Sequence, residues 1–196
     1  MSPDVTDQKI EVRLTVSERR RRRSPEARAA VAEAIALHAP AVASLARARR
    51  VAAYLSLPSE PGTGPLLEWL TGRGTEVIVP VSLADRSMDW VAHRAGEVVA
   101  GDLGVPEPTG PRLGPGALAS CDVAIVPALA VDHAGNRLGR GAGYYDRALA
   151  DFTGVVCALV HDDELLAALP HDPHDRPVDL VLTPAGLFRP SRDRDL

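Results

Sequence analysis

Residues 123–146 read V-A-I-V-P-A-L-A-V-D-H-A-G-N-R-L-G-R-G-A-G-Y-Y-D. The opening part, Val123 to Ala130, is an apolar run of strand length. The closing part, Gly135 to Asp146, holds Gly135, Gly139, Gly141 and Gly143, with Arg137 and Arg140 between them and Tyr144, Tyr145 and Asp146 behind. A short helical pattern, Tyr145 to Phe152, follows. A buried strand, a cationic glycine-rich loop and a helix start form an arrangement suited to phosphate. Glycine lets backbone amides approach an anion and adopt positive φ. A helix start adds unpaired N–H groups and the positive end of its dipole.

Working outward, the same alternation of strand and helix recurs. The spacing of Ile10, Leu14 and Val16 predicts a helix over Asp7–Arg23. Ser24 and Pro25 mark the N-cap and first position of a second helix, which runs to about His38. Buried strands are expected at Arg50–Leu57, Glu76–Leu83, Asp122–Ala128, Gly154–Val160 and Val178–Thr183, with a shorter edge strand at Met88–His93. A helix is expected over Thr63–Thr71 and another from His161 to about Leu169, whereas Gly96–Arg112 reads as irregular. This predicts a three-layer α/β/α fold of Rossmann-like type. A mostly parallel sheet carries helices on both faces, in one domain over residues 1–196. Right-handed crossovers bring the strands' carboxyl ends to one edge. Glu60 follows the first strand, so it reads either as an exposed loop carboxylate or as part of a ligand site at that edge.

The composition excludes several classes. A net charge of −4 offers no footprint for nucleic acid. No apolar run is long enough to span a membrane, and the polar start of the chain gives no signal peptide. A cytoplasmic monomer is expected. Cys121 and Cys157 fall in or beside predicted strands and read as small buried residues. Arg19 to Arg23 are five consecutive arginines, which read as a solvated helix end or, alternatively, as a run from which one or two side chains reach an anionic ligand. Lysine and arginine total 22, yet Lys9 is the sole lysine. His171, Asp172, His174 and Asp175 alternate like metal ligands, but no helix or hairpin fixes their spacing.

The glycine loop matches neither common phosphate motif. It lacks the G-K-[ST] ending of a P-loop, and its G-x-G-x-G run comes too late in the chain for dinucleotide binding. Its arginines suit phosphate oxygens. Asp146, just inside the predicted helix, reads as a dipole-favoured carboxylate or as a Mg²⁺ ligand beside phosphates. Tyr144 and Tyr145 are able to stack on a planar ligand.

G-N-R-L-G-R-G-A-G-Y-Y-D-R resembles the signature of the 5-formyltetrahydrofolate cyclo-ligases, also called 5,10-methenyltetrahydrofolate synthetases. The resemblance extends in order along the chain. It takes in Lys9 and Arg13, Tyr54 to Ser56 through Glu60, Val105 to Pro108, Val126 to Asp132, then His174-Asp175, Val178-Asp179 and Thr183. It implies that 5-formyltetrahydrofolate and ATP are converted, with Mg²⁺, to 5,10-methenyltetrahydrofolate, ADP and phosphate. It also implies the site residues. Lys9 and Arg13 hold ATP phosphates, together with the wrap of Arg137, Leu138, Gly139, Arg140, Gly141, Ala142, Gly143, Tyr144 and Tyr145. Leu55 and Glu60 border the folate with Arg140, Gly141, Ala142, Gly143 and Tyr144. Arg137, Arg140 and Tyr144 act at the reacting groups, and Asp146 and Asp179 bind Mg²⁺. Three positions depart from the family pattern. Ala142 stands where some members carry lysine, Leu103 where an aromatic often lies, and His161–Glu164 lacks the usual glutamine. Two competing readings are a diverged member with a changed reaction and a non-catalytic nucleotide or sugar-phosphate sensor.

Overall fold

Strand alternation organises the molecule. A computed structural model describes residues 4–101, 106–172 and 176–191. Leu103, Val105, His174 and Asp175 lie outside the described residues. Five parallel strands form the centre: β1 (Arg50–Ala52), β2 (Glu76–Ser82), β6 (Val123–Pro127), β9 (Val155–Leu159) and β11 (Leu180–Thr183). Two antiparallel strands, β3 (Met88–Ala92) and β12 (Gly186–Phe188), close the edges, giving the order β12-β11-β9-β6-β1-β2-β3. Successive side chains of a strand face opposite ways. Val77, Val79, Val123, Ile125, Cys157 and Leu159 therefore enter one core, beside Ile35 of α2 (Pro25–His38) and Leu66 and Leu70 of α4 (Gly64–Gly72). Ile78, Ala124, Val126, Val156 and Ala158 enter the other, beside Trp90, Leu149 and Phe152. Burial of both faces makes the three layers that the sequence predicts. Both cysteines are free and buried, and burial pushes the Cys157 thiol up to about 12.

Local chemistry explains where elements begin. The Ser24 side chain accepts from Ala27 N at 3.2 Å, with Pro25 opening α2. α1 (Val5–Arg21) and α3 (Ala43–Arg47) complete the helices before the sheet. Val12 of α1 packs on a satellite core of Ala130, Leu138 and Leu169, which holds α1 beside the carboxyl ends of the strands.

The differences from expectation also have causes. The strand expected over residues 50–57 ends at Ala52. Beyond it, Thr63 Oγ donates to Tyr54 O at 2.9 Å, and Ser56 and Thr63 exchange side chain-to-amide bonds at 3.2 and 3.1 Å, which curl residues 54–63 into a loop. The expected helix after His161 is one turn over residues 162–164. Glu164 is drawn into a buried ion pair, and β10 (Leu165–Leu166) pairs with β7 (Ala130–Asp132). The irregular stretch 96–112 contains a ribbon, β4 (Val98–Ala100) with β5 (Pro106–Pro108).

The glycine-rich stretch begins as a hairpin, with β8 (Arg137–Leu138) antiparallel to β7. Buried Asp132 clasps its turn, accepting from Ala134 N, Asn136 N and Asn136 Nδ2 at 3.0, 2.8 and 2.9 Å. Gly135 has φ +91, and a Cβ there would stand 2.7 Å from Val178 O, so only glycine fits. The following helix, α5, is only Tyr144–Ala148, entered through left-handed Gly143. So short a helix carries little of the dipole expected at its start.

Candidate active site

The carboxyl ends of β1 and β6, the glycine-rich loop and α1 surround one cleft of about 590 Å³. Every predicted ATP- and folate-binding residue lines it: Lys9, Arg13, Leu55, Glu60 and the whole run Arg137 to Tyr145. Asp146 lines it too; Asp179 does not.

The two sides of the cleft differ in chemistry. On the loop side, Arg13 Nε donates to Gly139 O at 3.0 Å, so α1 is tied to the loop. Lys9 Nζ donates to Asp172 Oδ2 at 2.7 Å. The Arg137 guanidinium pairs with Asp146 and lies 5.8 Å from the centre of the Tyr145 ring. Tyr144 Oη donates to Leu83 O at 3.2 Å, which fixes its ring against the end of β2. On the β1 side, Glu60 is buried. Its Oε2 accepts from Leu57 N at 2.9 Å, and its Oε1 lies 3.3 Å from Nε of the half-exposed Arg140. Glu60 is thus a held, inward carboxylate rather than a solvated loop residue.

Asp179 stands at the other edge of the sheet. Its Oδ2 accepts from Val156 N at 2.8 Å, where β9 and β11 begin. Arg137 and Asp146 stand by the opposite end, near Pro127 O, the carbonyl that closes β6. Pro127 pairs with Leu159, three residues beyond Val156, which is about 10 Å along the strand at the usual rise per residue. Asp179 thus serves the backbone at the start of β9, whereas Asp146 lines the cleft. Among the described residues no group of three or more His, Cys, Asp or Glu could hold a metal. Asp146 faces the cleft and fits a role as one carboxylate ligand beside substrate phosphates.

The structure adds two residues that sequence reasoning missed. Arg20, second in the arginine run, is buried at the cleft wall. Its Nε and Nη2 donate to the two oxygens of Glu164, both at 2.7 Å, and Nη2 also donates to Ala128 O at 2.6 Å. Burial opposes its charge, but the Glu164 hydrogen bond and charge outweigh that and raise its pKa. The anion that this arginine meets is a side chain of the protein itself. Its only sequence signal is that Val16 and Arg20 are four apart, on one helical face. Tyr54 is the second, buried against the cleft. Burial, then the nearby Glu60 charge, hold its phenol well above the usual range.

Comparison with known proteins agrees with this geometry. The model of the 5-formyltetrahydrofolate cyclo-ligase family matches residues 5–184. The chain belongs to the 5-formyltetrahydrofolate cyclo-ligase family. A member from Mycolicibacterium smegmatis, 5-formyltetrahydrofolate cyclo-ligase, is 46% identical over 143 residues, covering 69% of this chain and 74% of that protein. The Escherichia coli K12 member is 32% identical over 179 residues, covering 88% and 98%. The NMR structure of Aquifex aeolicus 5,10-methenyltetrahydrofolate synthetase superposes with a TM-score of 0.80 at 28% identity, covering 96% and 95% of the two chains. The three-layer fold and the membership in an enzyme family stand on these likenesses together. No helix among the described residues is long and apolar enough to cross a membrane.

Proposed function

We propose that this chain converts 5-formyltetrahydrofolate and ATP to 5,10-methenyltetrahydrofolate, ADP and phosphate. The observation that carries this reading is a single cleft with a cationic glycine loop on one side and buried Glu60 on the other. An N5-formyl oxygen is a poor leaving group. Transfer of the γ-phosphoryl group to it releases ADP and leaves an iminium phosphate. N10 of the same molecule attacks the formyl carbon and gives up its proton, the C–O bond breaks, and phosphate leaves carrying the former formyl oxygen and that proton. The protein supplies position and charge rather than a nucleophile.

In this reading Lys9, Arg13 and the 137–145 loop bind the triphosphate. Arg137 and Arg140 meet the charge of the moving phosphoryl group. Each arginine already faces a carboxylate, Asp146 and Glu60 respectively, so phosphate binding exchanges one anionic partner for another. Leu55, Glu60 and the backbone of residues 140–144 border the folate, with Tyr144 beside the reacting group. Asp146 would hold Mg²⁺ beside the phosphates, and the ion would supply positive charge against theirs. A cytoplasmic location belongs to the same proposal.

The test mixes the protein with 5-formyltetrahydrofolate, ATP and Mg²⁺ and follows the ultraviolet absorbance of methenyltetrahydrofolate. Steady product formation is expected. ATP binding without any product would leave a diverged or sensing protein instead.

A further inference from the structure

α1 reaches the cleft along one stripe. At about 100° per residue, Lys9, Arg13, Val16 and Arg20 fall within roughly 60° of one another around the helix. Their contacts differ from one end to the other. Near the start, Lys9 Nζ donates to Asp172 Oδ2 and Arg13 Nε to Gly139 O. Near the end, Val16 and Arg20 are buried. Arg20 donates from Nε and Nη2 to Glu164 and from Nη2 to Ala128 O. Its neighbours Arg19 and Arg23 both pair with Asp163.

The Arg20 clamp is fixed to the strands that carry the site. Ala128 directly follows β6, and the chain runs on from it through the β7–β8 hairpin into the glycine-rich loop. Glu164 Oε2 also accepts from His161 N at 2.9 Å, just past the end of β9. β6 and β9 are neighbours in the sheet, so the guanidinium is held from the carboxyl ends of two adjacent strands. Glu164 itself does not line the cleft. A buried ion pair adds little stability over apolar side chains of similar volume, because desolvation offsets the attraction. What its directed bonds supply is orientation, and a long helix needs it. From Arg20 to Lys9 the axis runs about 16 Å at 1.5 Å per residue. A tilt of about 10° at Arg20 would carry Lys9 about 3 Å and Arg13 about 2 Å sideways, beyond the tolerance of a hydrogen bond.

We propose that Arg20 and Glu164 are positioning residues for the nucleotide. They set the tilt of α1, so that Lys9 and Arg13 meet the triphosphate in the same frame as the glycine-rich loop. This rests on the reading that Lys9 binds ATP phosphate. The pair acts through the helix and has no need to touch the phosphates. Lys9, the farther of the two cations from the clamp, depends on it more than Arg13 does.

The experiment is a mutant cycle on the whole chain, read by calorimetric titration with a non-hydrolysable ATP analogue and, separately, with 5-formyltetrahydrofolate. Lys9→Ala is made in the wild type, in Glu164→Gln and in Arg20→Met/Glu164→Leu. Glutamine keeps the shape of the side chain but turns one acceptor into a donor that faces the guanidinium. The apolar pair keeps the interior filled, and its melting temperature should stay near that of the wild type. In the wild type, Lys9→Ala should weaken the analogue about tenfold. Each clamp variant alone should weaken it about 3- to 10-fold, with Glu164→Gln leaving folate affinity within about twofold. In either clamp background Lys9→Ala should then weaken the analogue by less than about threefold further, whereas sites about 16 Å apart that act independently would keep the full tenfold. Should one background fail to fold, the other carries the cycle. The same Lys9 loss in every background would overturn the positioning role. So would equal weakening of analogue and folate together with a lowered melting temperature. A wild type whose affinity for the analogue is unmoved by Lys9→Ala sinks the phosphate reading of Lys9, and the inference with it.

Discussion

The two edges of the parallel sheet use carboxylates differently. At the amino edge, Asp122 Oδ2 accepts from Arg49 N and Arg50 N at 2.7 and 3.0 Å, and Asp179 Oδ2 accepts from Val156 N. Both serve backbone amides where neighbouring strands begin. At the carboxyl edge, Glu60, Asp146 and Glu164 each face an arginine side chain. A carboxylate bonded to backbone completes the fold, and no ligand displaces its partner. A carboxylate facing an arginine side chain that lines the cleft has a partner that phosphate can take. Glu164 is the intermediate case: its arginine is as buried as it is.

That intermediate case should give the largest effect. Glu164→Leu strands Arg20 in the interior with Ala128 O as its remaining partner, and should lower stability by about 3–5 kcal/mol in urea denaturation. A loss under about 1 kcal/mol would mean that the pair is not what holds α1 to the sheet.

Next come the two aspartates that sequence reading paired. Asp146→Asn should lower kcat/KM, by about tenfold or more, with partial rescue by excess Mg²⁺. Asp179→Asn should leave kcat/KM within about twofold and lower the melting temperature, because a neutral amide oxygen accepts more weakly from Val156 N than the carboxylate does. Equal loss of activity in the two variants would break the division between the edges.

A smaller effect concerns nucleotide binding. Lys9→Ala should raise the KM for ATP more than that for folate, and equal changes in both would remove Lys9 from the phosphates.

The smallest is a pH dependence at the amino edge. Hydrogen bonds from Arg50 N and Arg49 N hold the Asp122 carboxyl below its usual value. A depressed folded-state pKa contributes stability that is present above the unfolded pKa of about 3.9 and is lost as pH falls through the folded value. The stability gap between wild type and Asp122→Asn should therefore be constant near neutrality and close on acidification below about pH 4. A gap that persists at lower pH would show that the amide bonds do not depend on the charge.

Much of the fold was legible because it depends on short-range pattern. The period-two apolar runs of β2, β6 and β9 place side chains in two cores, which already requires helices on both faces. Ser24-Pro25 marks the start of α2 through local capping alone. The glycine spacing of residues 135–143 likewise marks the loop, since positive φ is a property of single residues. Where expectation failed, distant partners intervened. The first strand was cut short by Thr63, and the helix after His161 by Arg20 and β7.

By itself, then, the sequence determined the layering, the position of the glycine-rich loop at the carboxyl edge, and the family. Each follows from periodicity, turn chemistry or a motif read along the chain. Only the tertiary structure separated Asp146 from Asp179, paired Arg20 with a glutamate 144 residues away, and brought Tyr54 and Tyr145 to one cleft. Those juxtapositions depend on which strands are neighbours and which edge a loop leaves from. Sheet order joins residues far apart in sequence, so no local pattern carries that information.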